Sequence, residues 1–227
     1  AMLALNVSSD VLNGFSLVDE SLNRTTDNAS QVNMAIYADF EEQMQANPTK
    51  VKEWYDKAQY VRQMSDSLYD LAEELKERIV KKSDGDDGDI HNIRNREDLE
   101  AASSVMLAPG SGRGQMLYEA INNYRERIVE MVNDSAQRRI ISSNLATEIP
   151  SNVRTLGKDW KEYMFENMPT AAAITLLTKI QSDVRYAEGE VLHDLASNIG
   201  VKDIHVNQLN AYVIPSSQTV VQGGRFT

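Results

Sequence analysis

TAAAITLLTKIQSDVRYAEGEVLHDLASNI, residues 170–199, reads as one uninterrupted helix. Its apolar positions Ala173, Leu177, Ile180, Val184, Ala187, Val191 and Leu195 recur at spacings of four and three, a stripe that requires partner helices along its whole length. Thr170 is placed to cap the first turn and Gly200 to stop the last one. Gly189 lies inside and costs on the order of 1 kcal/mol relative to Ala, so tertiary packing must hold the helix there.

Working outward, Val11, Phe15, Val18, Leu22, Thr25, Ala29, Val32, Ile36 and Phe40 carry the same spacing, with no proline before Pro48. They predict a first helix of about 45 residues, ~65 Å long. Asn47-Pro48 turns the chain. A second helix follows over 48–82, with Val51, Trp54, Ala58, Val61, Ser65, Leu68, Ala72, Leu75 and Ile79 inward and Glu74/Arg78 and Glu77/Lys81 as outward ion pairs. The run Asp84–Asp89 breaks it and reads as a flexible hairpin. A short helical segment over 96–107 leads to the glycine-rich breaker Pro109–Gly114.

Leu117, Ile121, Tyr124, Ile128 and Met131 mark a third helix from Gln115, whose stripe weakens at Ser135, resumes at Ile141 and Leu145, and ends at Pro150. Residues 151–168 form an irregular cap carrying Trp160, Tyr163, Met164 and Phe165. The expected fold class is all-α: an elongated up-down four-helix bundle with a long projecting N-terminal helix. Its core is expected to hold Val51, Trp54, Val61, Leu68, Leu75, Leu117, Ile121, Tyr124, Ile128, Leu177, Ile180, Val184, Val191 and Leu195. Beyond Gly200 the pattern changes to alternation, in His205–Ile214 and Gln218–Val221, which predicts the first strands of a truncated β-sandwich. The expected units are therefore 1–10, the end of a membrane helix and its junction; 11–200, the helical bundle; and 201–227, the start of a β domain.

Of the 227 residues, 23 are Lys or Arg and 34 Asp or Glu, and the net charge of -11 argues against a nucleic-acid or anionic surface as partner. No cysteine is present, which excludes disulfides, thiolate metal sites and cysteine nucleophiles. Glu190 and His193 form an E-x-x-H pair, but di-iron bundles need a second such pair and two more glutamates. The acidic run 84–89 puts Gly88, Asp89 and Asn95 where a calcium loop needs a ligand, a glycine and a bidentate Glu, so no calcium is expected. Gly110, Gly112 and Gly114 miss both phosphate-loop spacings and read as a linker. Trp54, Tyr55 and Tyr60 read as core aromatics rather than a pocket. With no grouping for nucleophilic catalysis and no cofactor motif, the expectation is a non-enzymatic protein without cofactors.

Met164–Pro169 (MFENMP) with the following TAAAITLLTKIQSDVRYAEGEVLHDL resembles the GldM/PorM family of the type IX secretion and gliding-motility machinery. The opening AMLALNVSSDVLNGFSLVDESL, the segment AINNYRERI at 120–128 and AYVIPSSQTVVQGGRFT at 211–227 are similar to it as well. The resemblance implies a periplasmic homodimer, anchored in the bacterial inner membrane by a single helix mostly upstream of this chain. Partners implied are a proton-driven GldL/PorL-type motor subunit at the membrane and, through later β domains, a GldK/GldN or PorK/PorN ring at the outer membrane. No nucleic acid is involved.

On that footing a long helix leaving a motor, stiffened by antiparallel partners, transmits force from the inner membrane to the secretion apparatus. Val11, Phe15, Val18 and Leu22 are expected to form the dimer seam below the bundle. The alternative is a periplasmic ligand-sensing four-helix bundle, which needs polar groups converging on the core. The predicted stripes offer little beyond Thr25, Ser65 and Tyr124.

Overall fold

The computed structural model describes residues 7–200, so the expected strands and the first residues of the junction lie outside the described residues. Eight helices are found there: α1 Ser9–Ala46, α2 Pro48–Asp84, α3 Ala101–Leu107, α4 Gly114–Glu130, α5 Ser135–Asn144, α6 Ser151–Thr155, α7 Trp160–Phe165 and α8 Thr170–Ser197. The described part is all-α. No described helix is long and apolar enough to cross a membrane.

Local chemistry explains the ends. Ser8 accepts from the Val11 N–H to cap α1, Asn47 accepts from Lys50 N–H to cap α2, and Pro48 occupies the first helical position. Thr170 does not cap α8 as expected. It is the first helical residue, and the free amides of Thr170 and Ala171 donate to the carbonyls of Asp98 and Arg96 instead. At the other end Gly200 adopts φ +76°, the left-handed stop the sequence implied.

Cross-helix pairs fix the directions. Thr175 donates to Phe15 O and Asn33 to Arg185 O, so α1 and α8 run parallel. Lys76 meets Thr178 while Asp66 meets Arg185, so α2 runs against α8. Tyr124 of α4 reaches Val184 O, and its hydroxyl lies 2.9 Å from Ser65 Oγ. The chain therefore does not follow the expected up-down-up-down order. α1, α4 and α8 point one way, and α2 the other.

The cause is a break in the expected third helix. Residues 131–134 leave the helix, Asp134 caps α5 through the Gln137 N–H, and α5 folds back. Arg125 of α4 then donates to Leu145 O and Thr147 to Asn122 Oδ1, the two arms lying side by side. α5, α6 and α7 carry the chain back, so α8 starts beside the start of α1. The predicted cap is there: Trp160 and Phe165 are buried with their rings edge-on at 6.0 Å, Met164 is half-buried and Tyr163 is exposed.

Among the described residues α1 does not project from the sheaf. α1 and α2 have 38 and 37 residues, and the N-terminal turns of α1 are held by Arg96, which donates to Asn13 and Ser16, and by Thr175. Of the predicted core, Val51, Val61, Leu68, Leu75, Leu117, Ile121, Tyr124, Ile128, Leu177, Ile180, Val184, Val191 and Leu195 are buried. Trp54 is a correction: it is half-buried, with the Lys57 ammonium 4.5 Å from its ring centre.

Candidate functional site

α8 is enclosed by α1 on one side and α2 on the other, so its buried surface runs well round the helix and takes in polar positions. Glu188 is only 1% exposed. Its Oε2 accepts from the Tyr37 hydroxyl at 2.7 Å, and its Oε1 from Asn33 Nδ2 at 3.0 Å and Arg185 Nη1 at 3.1 Å. Arg185 also donates to Asp66 at 2.8 Å and lies 4.1 Å above the Tyr69 ring. The cluster thus ties α1, α2 and α8 at a single level.

About two turns toward the start of α8 a second cluster repeats the device. The Lys76 ammonium, 2% exposed, donates to Gln181 Oε1 at 2.8 Å and Thr178 Oγ1 at 3.1 Å, with Glu73 3.4 Å away. Gln181 Nε2 donates to Glu73 at 2.7 Å and to Tyr69 O. Every partner is held by another, which is how buried polar groups avoid the desolvation penalty of standing alone.

Electrostatics follow the burial. Burial pushes the Glu188 carboxyl above its ordinary value, against the pull of Arg185, Tyr37 and Asn33. Tyr37 is raised by burial and by the adjacent carboxylate, and Tyr124 by burial. Arg185 remains a cation: burial opposes its charge, but Glu188 and Asp66 outweigh it.

Gly189 belongs to this arrangement. A Cβ there would stand 2.8 Å from Asn33 Oδ1, so the missing side chain lets α1 come close enough for Asn33 to reach both Arg185 O and Glu188. The sensor reading asked for polar groups converging on the core, and they exist. Apart from Arg185 Nε, which is buried without a partner, they bond to one another, and both Glu188 oxygens are engaged.

The residues named from sequence are scattered. Val11 and Val18 are 49% and 51% exposed and Phe15 and Leu22 half-buried, on the N-terminal part of α1 that Arg96 and Thr175 hold to the sheaf. Leu17, at 67% exposure, joins the open strip. His193 bonds to Gly189 O through Nδ1, and burial raises the Glu190 carboxyl. Among the described residues no group of three or more potential ligands gathers for a metal. Tyr55 donates to Glu41, and Tyr60 is exposed.

The acidic run is not a flexible hairpin. Asp84 accepts from the backbone N–H groups of Arg94 and Asn95, and the Arg94 guanidinium forks onto both oxygens of Asp87 at 2.7 and 3.3 Å. Burial opposes ionisation of Asp84, but these bonds outweigh it and hold the carboxyl below its usual value; Asp87 is lowered by Arg94 itself. An arginine thus stands where a cation had been considered.

Sequence reasoning missed Glu188, Arg185, Asn33, Tyr37, Lys76 and Gln181. A trace was present: Gln181, Arg185 and Glu188 follow one another at spacings of four and three on a helix whose alanines allow close neighbours on several sides. A family model described as the GldM N-terminal domain matches residues 10–198. A comparison with curated proteins finds no match.

Proposed function

Because the chain belongs to the GldM family, we propose that residues 9–197 act as a stiff strut that carries force from an inner-membrane motor toward the outer-membrane secretion apparatus. The family is a structural component of gliding motility and type IX secretion, with an inner-membrane anchor and periplasmic domains. The observation that carries the reading is the path of the chain. α1 begins at one end of the sheaf and α8 finishes at the other, and the two are clamped to each other from Phe15–Thr175 to Tyr37–Glu188. A displacement of α1 therefore moves α8 without passing through a flexible joint, because packed interiors deform little.

In this reading the strut works as a homodimer. The contact between copies lies on the open strip of α1, at Val11, Leu17 and Val18, with Phe15 and Leu22 at its edge. A GldL/PorL-type subunit drives it from the membrane side, and a GldK/GldN or PorK/PorN ring receives the motion through domains that follow residue 200. No catalytic step is assigned to it.

The test inserts seven residues between Ser8 and Ser9 of the full-length protein, at the membrane-side end of the sheaf, in two forms. A helix-forming insert keeps rigidity and nearly keeps rotational phase, being close to two turns. A Gly-Ser insert of the same length keeps the tether and removes rigidity. Surface delivery of type IX cargo is expected to persist with the first and stop with the second, at equal membrane abundance. Delivery retained with the flexible insert sinks the strut.

A further inference from the structure

At the end of the sheaf where α2 finishes, a cleft of about 540 Å³ is lined by Arg78, Lys81, Lys82 and Arg113, with Ser104, Ser111 and the single carboxylate of Asp86. This is an unusual place in a chain of net charge -11. Arg78 pairs with Glu74 at 2.8 Å, but Lys81, Lys82 and Arg113 make no side-chain hydrogen bond or ion pair with any described residue. Even the i,i+4 pair that sequence suggested for Glu77 and Lys81 does not form. Favourable charge at a helix C-terminus accounts for the two lysines. It does not account for Arg113, which comes from another element.

Arg113 is brought there by the glycine-rich turn, which is a built loop rather than a linker. Gly110 holds φ +75°, Gly112 donates to Ala108 O at 2.7 Å, and Arg113 N–H donates to Val105 O at 3.0 Å. A Cβ on Gly112 would meet Met106 O at 2.7 Å and one on Gly114 the Lys161 side chain at 2.8 Å. The turn packs too closely for any other residue, and its result is to set Arg113 and Ser111 opposite the lysines.

We propose that this cleft binds a phosphate group. Three unpaired cations and two free hydroxyls match a dianion with three or four acceptor oxygens, where a lone carboxylate would leave the cleft net positive. The volume lies within the roughly 300–1,000 Å³ of small-ligand sites, enough for a phosphate with the glycerol of a headgroup. The source is either a free phosphate compound or a phospholipid headgroup. The assignment does not rest on the strut reading.

The test uses the 227-residue protein in phosphate-free buffer at low ionic strength, in two arms. Calorimetric titration with inorganic phosphate and with glycerol phosphate reads the free ligand. Flotation with vesicles of phosphatidylglycerol in phosphatidylcholine, against phosphatidylcholine alone, reads the headgroup. The K82Q/R113Q double variant, checked for unchanged circular dichroism, is expected to weaken binding at least tenfold. K52Q/R127Q, which removes the same charge elsewhere, is expected to leave it within twofold. Binding in the titration alone assigns a free phosphate ligand, and binding to phosphatidylglycerol vesicles assigns a headgroup. No binding in either arm, or equal loss in both double variants, overturns the site.

Discussion

Replacing Arg185 with Met removes the cation that lies 3.1 Å from the Glu188 carboxylate and leaves a charge that is 1% exposed with two neutral donors, Tyr37 and Asn33. Stripping one partner from a buried ion pair costs about 3–5 kcal/mol. At roughly 2–4 °C per kcal/mol for a domain of this size, the midpoint should fall by about 6–20 °C. The loss must also depend on pH. Burial already holds the Glu188 carboxyl above its ordinary 4.5, and Arg185 is the largest influence pulling it down, so the variant raises it further.

A carboxyl whose native pKa exceeds its unfolded one keeps a proton in the native state over a window where the unfolded chain has lost it. Stability therefore falls as pH rises through that window, and the variant widens it upward. Urea denaturation at pH 5 and pH 8 should show Arg185→Met closer to the unaltered protein at pH 5. A cost below about 1 kcal/mol, equal at both pH values, would refute the interlocked core, because ordinary surface changes stay within ~0.5 kcal/mol.

Gly189→Ala gains helix propensity but drives a Cβ to 2.8 Å from Asn33 Oδ1, and Asn33 is pinned by two hydrogen bonds; a net loss of about 1–3 kcal/mol is expected in chemical denaturation. Arg94→Gln should raise amide exchange across residues 84–95 while global stability stays within about 0.5 kcal/mol, since the cluster is exposed. Acid should loosen the same loop in the unaltered protein: the Asp84 and Asp87 carboxyls lie below their ordinary 3.8, so the order they supply is present above that value and lost as pH falls through the lowered ones. Val18→Asp, on a residue 51% exposed, should leave the melting midpoint unchanged yet convert the proposed full-length dimer to monomer in sedimentation, and an unaltered dimer would move the proposed contact between copies off α1.

What was legible in the sequence is what spacing and caps encode. The α1–α2 turn at Asn47-Pro48, the span of α8 and the stop at Gly200 follow from local chemistry that acts within a few residues. Direction was not legible, because it turned on whether residues 131–134 continue a helix. Met131 and Val132 keep the apolar pattern while Asn133 and Asp134 offer a new cap, and tertiary contacts from Arg125 and Thr147 favour the fold-back. The stripe of α1 also drifts: Leu12, Thr26, Asn33 and Tyr37, which lie off the stripe read from sequence, are buried, while Thr25 on it is exposed. A polar residue opposite another polar residue looks like solvent-facing surface in one chain segment, so the Glu188 cluster became visible only when three segments were brought together.

The parallel course of α1 and α8 also bears on how the domain resists being pulled. In an even-numbered bundle the first and last helices end side by side, and tension between them peels contacts apart one turn at a time, like a zipper. On the proposed strut role, load that enters at the start of α1 and leaves at the end of α8 makes the two helices slide along each other. Sliding opposes the load with the Asn33, Tyr37, Arg185 and Glu188 bonds together, and with the Asn33–Gly189 contact acting as a notch. The odd number of lengthwise passes, a consequence of α5 folding back, thereby converts a row of contacts of individually modest strength into one that yields only all at once.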